Sequence, residues 1–187
     1  MNYKFSDAEL KKVLKELVVL VDTREKSNKH ILKWFEEKKI KYKIQKLDYG
    51  DYSAYIPKGG IYGIDRDIYF TQSICIERKG SIDEIAGNLK DGAVRLKNEL
   101  MAFNKYNIKY FIFLEDNLFH KHLRNQNYRS LYDPKILYAR LKGLEAEFNT
   151  IIVPIGADYV AAEIYNTLYY RIRHILKREF KILTNVI

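Results

Sequence analysis

The 187-residue chain is poor in the residues that usually mark special classes of protein. It has one cysteine, three prolines and nine glycines, which are too few for an internal disulfide framework or for a low-complexity disordered chain. No apolar run reaches the roughly 18 residues needed to span a bilayer. Residues 1–17 alternate charged and apolar positions and lack the apolar core of a signal peptide. We therefore expect a cytoplasmic globular protein, away from membranes, with residues 1–187 forming one domain.

Positive charge is what the sequence has in excess. There are 33 lysines and arginines against 24 acidic residues, which gives a formal net charge of +9 and favours polyanionic partners. Eight lysines fall between Lys26 and Lys46 against two acids, and further basic stretches cover residues 121–142 and 171–181. Charge alone leaves two explanations equally open: nucleic-acid binding, and a lysine-rich surface that is merely solvated.

Hydrophobic periodicity predicts helices and strands in alternation. Apolar residues recur at helical spacing in segments 7–16, 81–106, 134–148 and 158–180 and after a cap at Ser27. Short apolar or alternating runs predict strands over 17–21, 42–48, 51–56, 73–79, 108–114 and 150–153. The glycine-containing stretch 57–72 predicts a hairpin or an inserted loop. This alternation is typical of an α/β layered fold.

Three acidic residues fall at or near predicted strand ends: Asp22, Asp51 and Glu77. Because side chains alternate along a strand, Glu77 and Lys79 project to the same side. Carboxylates are ligands that Mg²⁺ uses when phosphate supplies others, and a nearby lysine can orient a water and offset phosphoryl charge. A surface ion pair worth about 0–1 kcal/mol is the plain alternative. An acid-x-lysine triplet is common, so on the triplet alone the surface ion pair is the favoured explanation.

The triplet is part of one of three ordered motifs: Leu-Val-Asp-Thr-Arg-Glu at 20–25, Leu-Asp-Tyr-Gly-Asp-Tyr at 47–52, and Ile-Glu-Arg-Lys-Gly-Ser-Ile-Asp at 76–83. Together they resemble the nuclease domain of the XPF-type structure-specific endonucleases. The core motif of that family is Gly-Asp, then Glu-Arg-Lys at a variable distance, then three residues and Asp. The resemblance spans about residues 15–180. It implies a restriction-endonuclease-like fold, an α/β architecture with a central mixed β-sheet flanked by helices.

The resemblance also implies a metal site and its ligands. Asp51 and Glu77 match the principal metal ligands, and Asp22 would be an additional ligand or would hold a water at the metal. Lys79 would position the attacking water. The implied cofactor is Mg²⁺, with Mn²⁺ as a substitute.

Other matched residues have less defined roles. Arg78 would organise neighbouring acids such as Asp83, or contact phosphate. Asp83 is either catalytic or a helix-dipole partner worth about 0.3–1 kcal/mol. Arg95 would hold the scissile strand or pair with a motif carboxylate. We predict four basic residues as nucleic-acid contacts: Arg24, Arg95, Lys26 and Lys29.

Two departures from the family pattern are visible. Asp51 and Glu77 stand further apart than in the compact family hairpin, so residues 57–72 are predicted to form an inserted loop beside the site. The chain also lacks the tandem helix-hairpin-helix module of longer relatives, and it therefore resembles the stand-alone bacterial and phage versions. Tyrosines and arginines mix on the last helix, which leaves open a homodimer contact or a nucleic-acid surface. The homodimer is the favoured interpretation.

The resulting prediction is a metal-dependent endonuclease that hydrolyses phosphodiester bonds in DNA, its partner, in repair or recombination. Branched, flap or otherwise non-duplex DNA is the candidate substrate. A catalytically inert nucleic-acid-binding or scaffold member of the same fold is the alternative. Junction resolution or restriction would share the chemistry and differ in substrate.

Overall fold

The computed structural model describes residues 4–90 and 92–179, except for the side chains of Arg95 and Glu179. In this part of the chain one seven-stranded sheet carries helices on both faces. The strands are β1 Val18–Val21, β2 Tyr42–Ile44, β3 Tyr52–Ile56, β4 Ile68–Tyr69, β5 Ile74–Lys79, β6 Lys109–Glu115 and β7 Thr150–Ile155. The helices are α1 Asp7–Leu14, α2 Lys29–Glu37, α3 Ile82–Lys90, α4 Ala93–Lys105, α5 Phe119–Arg124, α6 Pro134–Glu147 and α7 Val160–His174.

The sheet is mixed, and this confirms the predicted fold class. Its order is β2-β1-β3-β5-β6-β7, with β4 paired to β3. Strand β3 runs antiparallel to β1 and β5, whereas the β1–β2, β5–β6 and β6–β7 pairs are parallel. The carboxyl ends of β1, β5 and β6 therefore meet the start of β3 at one edge of the sheet.

Alternation along the strands divides the buried residues into two cores. On one face, Val19, Tyr52 and Ile76 pack with buried residues of α1, α2 and α7. On the other face, Tyr110 and Ile112 pack with buried residues of α3, α4, α5 and α6. This arrangement leaves the edge where β1, β3 and β5 meet available for polar side chains. None of the helices described crosses a membrane, since none is long and apolar enough.

The predicted helix over 81–106 is wrong as a single element. The structure has two helices, α3 and α4, and Gly92 is the N-cap residue of α4. Glycine is about 1 kcal/mol less favourable than alanine in a helix interior, and Gly87 and Gly92 both fall within the predicted span. At the start of α3, Ser81 Oγ accepts the Glu84 N–H at 3.2 Å and so caps the helix.

Three other boundaries differ from the sequence predictions. Ser27 does not cap α2; its N–H donates to Glu25 at 2.8 Å, and Asn28 is the N-cap residue. Helix α5 was missed because it is a single short helix in a polar segment. The final helix begins at Val160 and continues after His174 as a π-helical stretch, Ile175–Glu179. Its apolar stripe packs on its own sheet, and the homodimer expected through this helix stays a prediction.

The 57–72 insertion forms a hairpin, but not beside the acidic residues. Strand β4 pairs with the far end of β3, where Tyr55 faces Tyr69 and Ile56 faces Ile68. Asp51 precedes the other end of β3, roughly 13 Å away at the usual rise per residue. The expectation of an inserted loop next to the site is therefore wrong. Because β3 leads away from Asp51, residues added after it lie at the opposite edge of the sheet.

Candidate active site

The strand register brings the three predicted acids into one row. Val21 lies opposite Tyr52, and Tyr52 lies opposite Ile76. One position further along, the same register places Asp22, Asp51 and Glu77 side by side on three neighbouring strands. Their backbones are joined as well, since the Asp22 N–H donates to the Asp51 carbonyl at 2.8 Å.

Gly50 brings Asp51 close to β5. Its φ is +67°, a left-handed conformation that glycine adopts without a steric penalty. A Cβ at this position would lie 3.0 Å from the Ile76 carbonyl oxygen and 3.2 Å from the Cys75 Cβ. The Gly-Asp pair therefore fits a place where the backbone passes tightly over the next strand.

Asp51 is a partly buried carboxylate held by an amide. The Arg78 N–H donates to Asp51 Oδ2 at 2.8 Å. Burial and the negative charge of Glu77 raise the pKa of Asp51 to about 8. Like charges directly opposite each other on neighbouring strands are unfavourable, so this pair of carboxylates is poised to accept a cation.

Lys79 lies beside Glu77, as strand alternation predicts. Its Nζ donates to Glu77 Oε1 at 2.6 Å and lies 3.5 Å from Glu84 Oε1. Burial lowers the pKa of the Lys79 amine, but the charges of Glu77 and Glu84 outweigh that effect, so the pKa stands above its usual value. Lys79 is therefore an ammonium at neutral pH, and it brings a fixed positive charge to the row of acids.

Asp22 is saturated by hydrogen bonds. Its Oδ1 accepts the N–H and the Nε–H of Arg24, each at 2.7 Å, and its Oδ2 accepts from Arg24 Nη2 at 3.1 Å and from the Leu47 N–H at 2.6 Å. Burial raises the pKa of Asp22, but these donors outweigh burial and hold it below its usual value. The Arg24 side chain stays 62% exposed. Asp22 thus fixes a guanidinium at the site, an arrangement that does not favour its predicted role as a metal ligand.

Asp51 and Glu77 fit a divalent cation as a pair. Within residues 4–90 and 92–179, no three His, Cys, Asp or Glu side chains form a group that could hold a metal. A pair is nevertheless adequate for Mg²⁺, which is usually held by one or two carboxylates together with waters and substrate phosphates. The opposed charges of Asp51 and Glu77, and the raised pKa of Asp51, are the features that a cation would relieve.

Arg78 points away from the row of acids and is buried behind it. Its Nε and Nη2 donate to the two carboxylate oxygens of Glu115 at 2.8 and 3.0 Å, and its Nη1 lies 3.5 Å from Glu25. His30 Nε2 also lies 2.8 Å from Glu115 Oε1. Arg78 was expected to organise neighbouring acids or to contact phosphate; it does pair with neighbouring acids, but these are Glu115 and Glu25, and not Asp83.

Sequence reasoning missed Glu115. The signal that could have found it is the one that singled out the other acids, since Glu115 is the last residue of β6. Its partner could not be read from the sequence, because Arg78 and Glu115 meet only through the parallel pairing of β5 and β6.

Asp83 lies in the first turn of α3, where it joins two segments. Its Oδ1 accepts the Ser130 N–H at 2.7 Å, and its Oδ2 lies 3.4 Å from Arg129 Nε. A carboxylate at this position also faces the positive end of the helix dipole. Asp83 therefore anchors the segment before α6, and its predicted catalytic role stays a prediction.

The remaining predicted nucleic-acid contacts are basic residues near the start of α2 and on α4. Lys26 and Lys29 are exposed and closely follow Arg24. Arg95 belongs to α4, and its side chain lies outside the described part of the chain. The lysines therefore continue the positive charge of Arg24 along the surface.

A cleft of about 560 Å³ opens at the carboxyl ends of β5, β6 and β7. Asp83, Glu115, Asp116 and Asp158 are among its lining residues. Three of these carboxylates have a basic partner: Glu115 pairs with Arg78, Asp83 with Arg129 and Asp116 with His122.

Comparisons with known proteins identify the family and the fold of this chain. Residues 21–168 match the ERCC4 domain family. The chain is similar to the solved structure of XPF from Aeropyrum pernix, with a TM-score of 0.61 and 21% identity over 91% of this chain and 68% of that one. For XPF from Aeropyrum pernix in complex with DNA, the TM-score is 0.56 with 21% identity over 82% of this chain and 63% of that one. No curated protein matches the chain.

The chain therefore spans about two thirds of the length of these solved relatives. At this level of identity the likeness shows the fold alone, and that fold is shared with the XPF structures. The family match covers most of the chain and contains Asp22, the Gly50-Asp51 pair and the whole 76–83 motif. This protein belongs to the ERCC4 domain family.

Proposed function

We propose that the protein is a DNA endonuclease that hydrolyses phosphodiester bonds with the help of a divalent cation, Mg²⁺ or Mn²⁺. Membership of the ERCC4 domain family and the likeness to XPF, which is described in complex with DNA, support nuclease action on DNA. The observation that carries the proposal is the opposition of Asp51 and Glu77 beside a charged Lys79. Like charges that lie opposite each other on neighbouring strands destabilise the fold. A cation bound between the two carboxylates would remove this repulsion.

Asp51 and Glu77 would hold the cation. When bound, such a cation polarises a phosphoryl group and lowers the pKa of a water. Asp51 remains oriented throughout, because the Arg78 amide fixes its Oδ2. The Lys79 ammonium donates to Glu77 Oε1 and so orients Glu77.

Lys79 and Arg24 supply the positive charge that phosphoryl transfer needs. Preorganised cations aimed at developing negative charge lower the barrier, because they do not reorient during the reaction. Lys79 is fixed by Glu77, and we assign it the task of holding the attacking water and offsetting charge on the phosphate. Arg24 is fixed by Asp22 and exposed, so we assign it to an oxygen of the scissile or adjacent phosphate.

The exposed basic residues would guide the DNA backbone to this edge. Lys26 and Lys29 lie beside Arg24, and a second group of exposed cations lies on and between α5 and α6: Lys121, Arg124, Arg129 and Lys135. Neutralising phosphates releases counterions, so binding should weaken steeply with salt. Arg95 stays a proposed contact to the scissile strand. Branched or flap DNA is the proposed substrate class, from the family resemblance.

A cleavage panel tests the proposal. Purified protein is incubated with plasmid, flap and forked DNA in Mg²⁺ or Mn²⁺, with EDTA as the control, and end-labelled strands map the cuts. Products that require the cation and favour the flap or fork support the full proposal. Binding without any product would instead favour an inert scaffold.

A further inference from the structure

A buried network of charges lies directly behind the row of acids. Arg78 is 7% exposed, and the side chains of Glu115 and Glu25, which flank it, are 8% and 9% exposed. His30, from the start of α2, reaches the outer side of Glu115. The guanidinium of β5 therefore meets acids from the β1–α2 loop and from β6, and α2 contacts the second of these acids.

A gain in the stability of the fold does not account for this network. Two charges removed from water cost several kcal/mol each, and apolar residues of similar volume often serve the fold equally well or better. What a bidentate pair of arginine and carboxylate adds is fixed geometry, because two parallel hydrogen bonds define both distance and orientation. Burial raises the pKa of Glu115, but the donors Arg78 and His30 outweigh it and hold the pKa below its usual value.

The network is connected to the catalytic side through a single residue. The side chain of Arg78 faces Glu115, while its backbone N–H donates to Asp51 Oδ2 on the other side. Glu77 and Lys79 are its covalent neighbours. A shift of Arg78 would therefore move the orienting donor of Asp51 and the backbone of both other site residues together.

We propose that Glu115 is a positioning residue of this active site: it clamps Arg78 from behind and so fixes the amide that orients Asp51. This inference rests on the proposed nuclease function. Groups that orient a reacting or ligating carboxylate commonly affect rate without touching substrate, since small misplacements at the reacting centre are costly. His30 supports Glu115 from the surface and has a smaller share in this role.

The test is Glu115→Gln in the full chain. Glutamine keeps the size of the side chain, but it loses the charge, and one of its two polar groups cannot accept from Arg78. We expect kcat for DNA cleavage to fall by about 10–100-fold, with KM within about twofold because the DNA-binding surface is unchanged. Hydrogen exchange of the Arg78 amide, followed by NMR, should become faster, whereas the Ile76 amide should not change.

Glu145→Gln is the matched control. Glu145 is also a partly buried carboxylate, paired with Lys142 at 2.6 Å and accepting the Ile152 N–H at 2.9 Å. It lies by β7, with two strands between it and β3, and has no contact with Arg78. We expect kcat and the exchange of the Arg78 amide to match the wild type in this variant.

The outcomes separate this inference from the proposed function. Absence of cleavage by the wild type would refute the nuclease proposal, and the amide exchange would still report on positioning. A folded Glu115→Gln protein with wild-type kcat and unchanged Arg78 exchange overturns the inference. If that variant does not fold, His30→Ala replaces it, with an expected loss of about twofold to fivefold in kcat at constant KM. Wild-type kcat in His30→Ala would then overturn the inference.

Discussion

The two sides of the end of β5 differ in electrostatic balance. On the front, Asp51 and Glu77 oppose each other with Lys79 as their nearest cation, and the pKa of Asp51 is raised to about 8. On the back, Arg78 meets two carboxylates at hydrogen-bonding or ion-pair distance, and Glu115 has a depressed pKa. On the front of β5 the negative charges are therefore not fully balanced, and we call this the strained side. On the back the charges are paired, and we call this the balanced side. Local departures from the best packing commonly mark functional sites.

The largest expected effect is a loss of stability when Arg78, the cation of the balanced side, is replaced. Arg78→Met would leave Glu115 and Glu25 buried without their cation, and we expect a loss of about 3–5 kcal/mol in the free energy of unfolding. Guanidinium denaturation followed by circular dichroism measures it. Arg129→Met is the control, because its side chain is 93% exposed and its effect should stay within about 0.5 kcal/mol. Equal losses in the two variants would contradict the comparison.

The next effect concerns the strained side. Lys79→Ala removes the fixed ammonium and should lower the cleavage rate by about 10²–10³-fold, the usual loss for a charge-stabilising group. The fold and DNA binding should be retained, because Glu77 and Glu84, the carboxylate partners of Lys79, are more exposed to solvent than the partners of Arg78. Plasmid nicking measures the rate, and gel-shift assays in EDTA measure binding. Lys97→Ala, at an exposed pair with Glu147, should behave as the wild type. Cleavage at the wild-type rate by the Lys79→Ala variant would contradict the assignment of Lys79 to the active site.

A smaller effect is expected from Asp51→Asn, which should raise the stability of the fold, whereas Arg78→Met should lower it. The pKa of Asp51 is about 8 in the folded chain against 3.8 as its reference, so folding becomes less favourable as pH rises from about 4 to about 8. Asparagine removes this penalty, and we expect about 1 kcal/mol more stability at pH 8.5 without metal, or roughly 2–4 °C in Tm. The difference should vanish below pH 4, and thermal melts across pH check this.

Asp22→Asn is the matched comparison for that prediction. The pKa of Asp22 is depressed by its donors, so its contribution to stability is present above its reference pKa and is lost as pH falls. This variant should therefore be less stable than the wild type at neutral pH. If both asparagine variants shift Tm in the same direction, the contrast between the two acids is wrong.

The smallest effect concerns the surface that leads to the site. Replacing Lys26 and Lys29 together by alanine should flatten the plot of log binding constant against log salt by about one unit for each DNA phosphate that is no longer neutralised. Fluorescence anisotropy in EDTA, at several salt concentrations, measures the slope. Lys105→Ala at the end of α4 is the control. An unchanged slope in the double variant would mean that Lys26 and Lys29 do not contact DNA phosphates.

Local periodicity was sufficient for much of the site. The alternation of side chains put Glu77 and Lys79 on one side, and their 2.6 Å contact agrees. The same alternation sent Arg78 to the other face. The strand cores around Val19 and Ile76 followed from short apolar runs, since such runs are typical of strands covered on both faces.

Other features depend on partners that are distant in sequence. The family resemblance implies that Asp22 is a metal ligand or holds a water at the metal, but the sequence does not show the Leu47 N–H that occupies its Oδ2. Glu115 was missed because its significance comes from Arg78 on a neighbouring strand. The break between α3 and α4 depends on how strongly tertiary packing offsets the cost of glycine.

The hairpin at the far end of β3 has a consequence for recognising relatives of this chain. Asp51 directly precedes β3 and Glu77 lies in β5, so the intervening chain runs away from the site and returns. Any number of residues can be accommodated in that excursion while Tyr52 still faces Ile76. A search pattern with a fixed gap between Gly-Asp and Glu-Arg-Lys would therefore overlook chains like this one. The same turn, around Gly59 and Gly63, is a natural place to graft a reporter or an affinity tag.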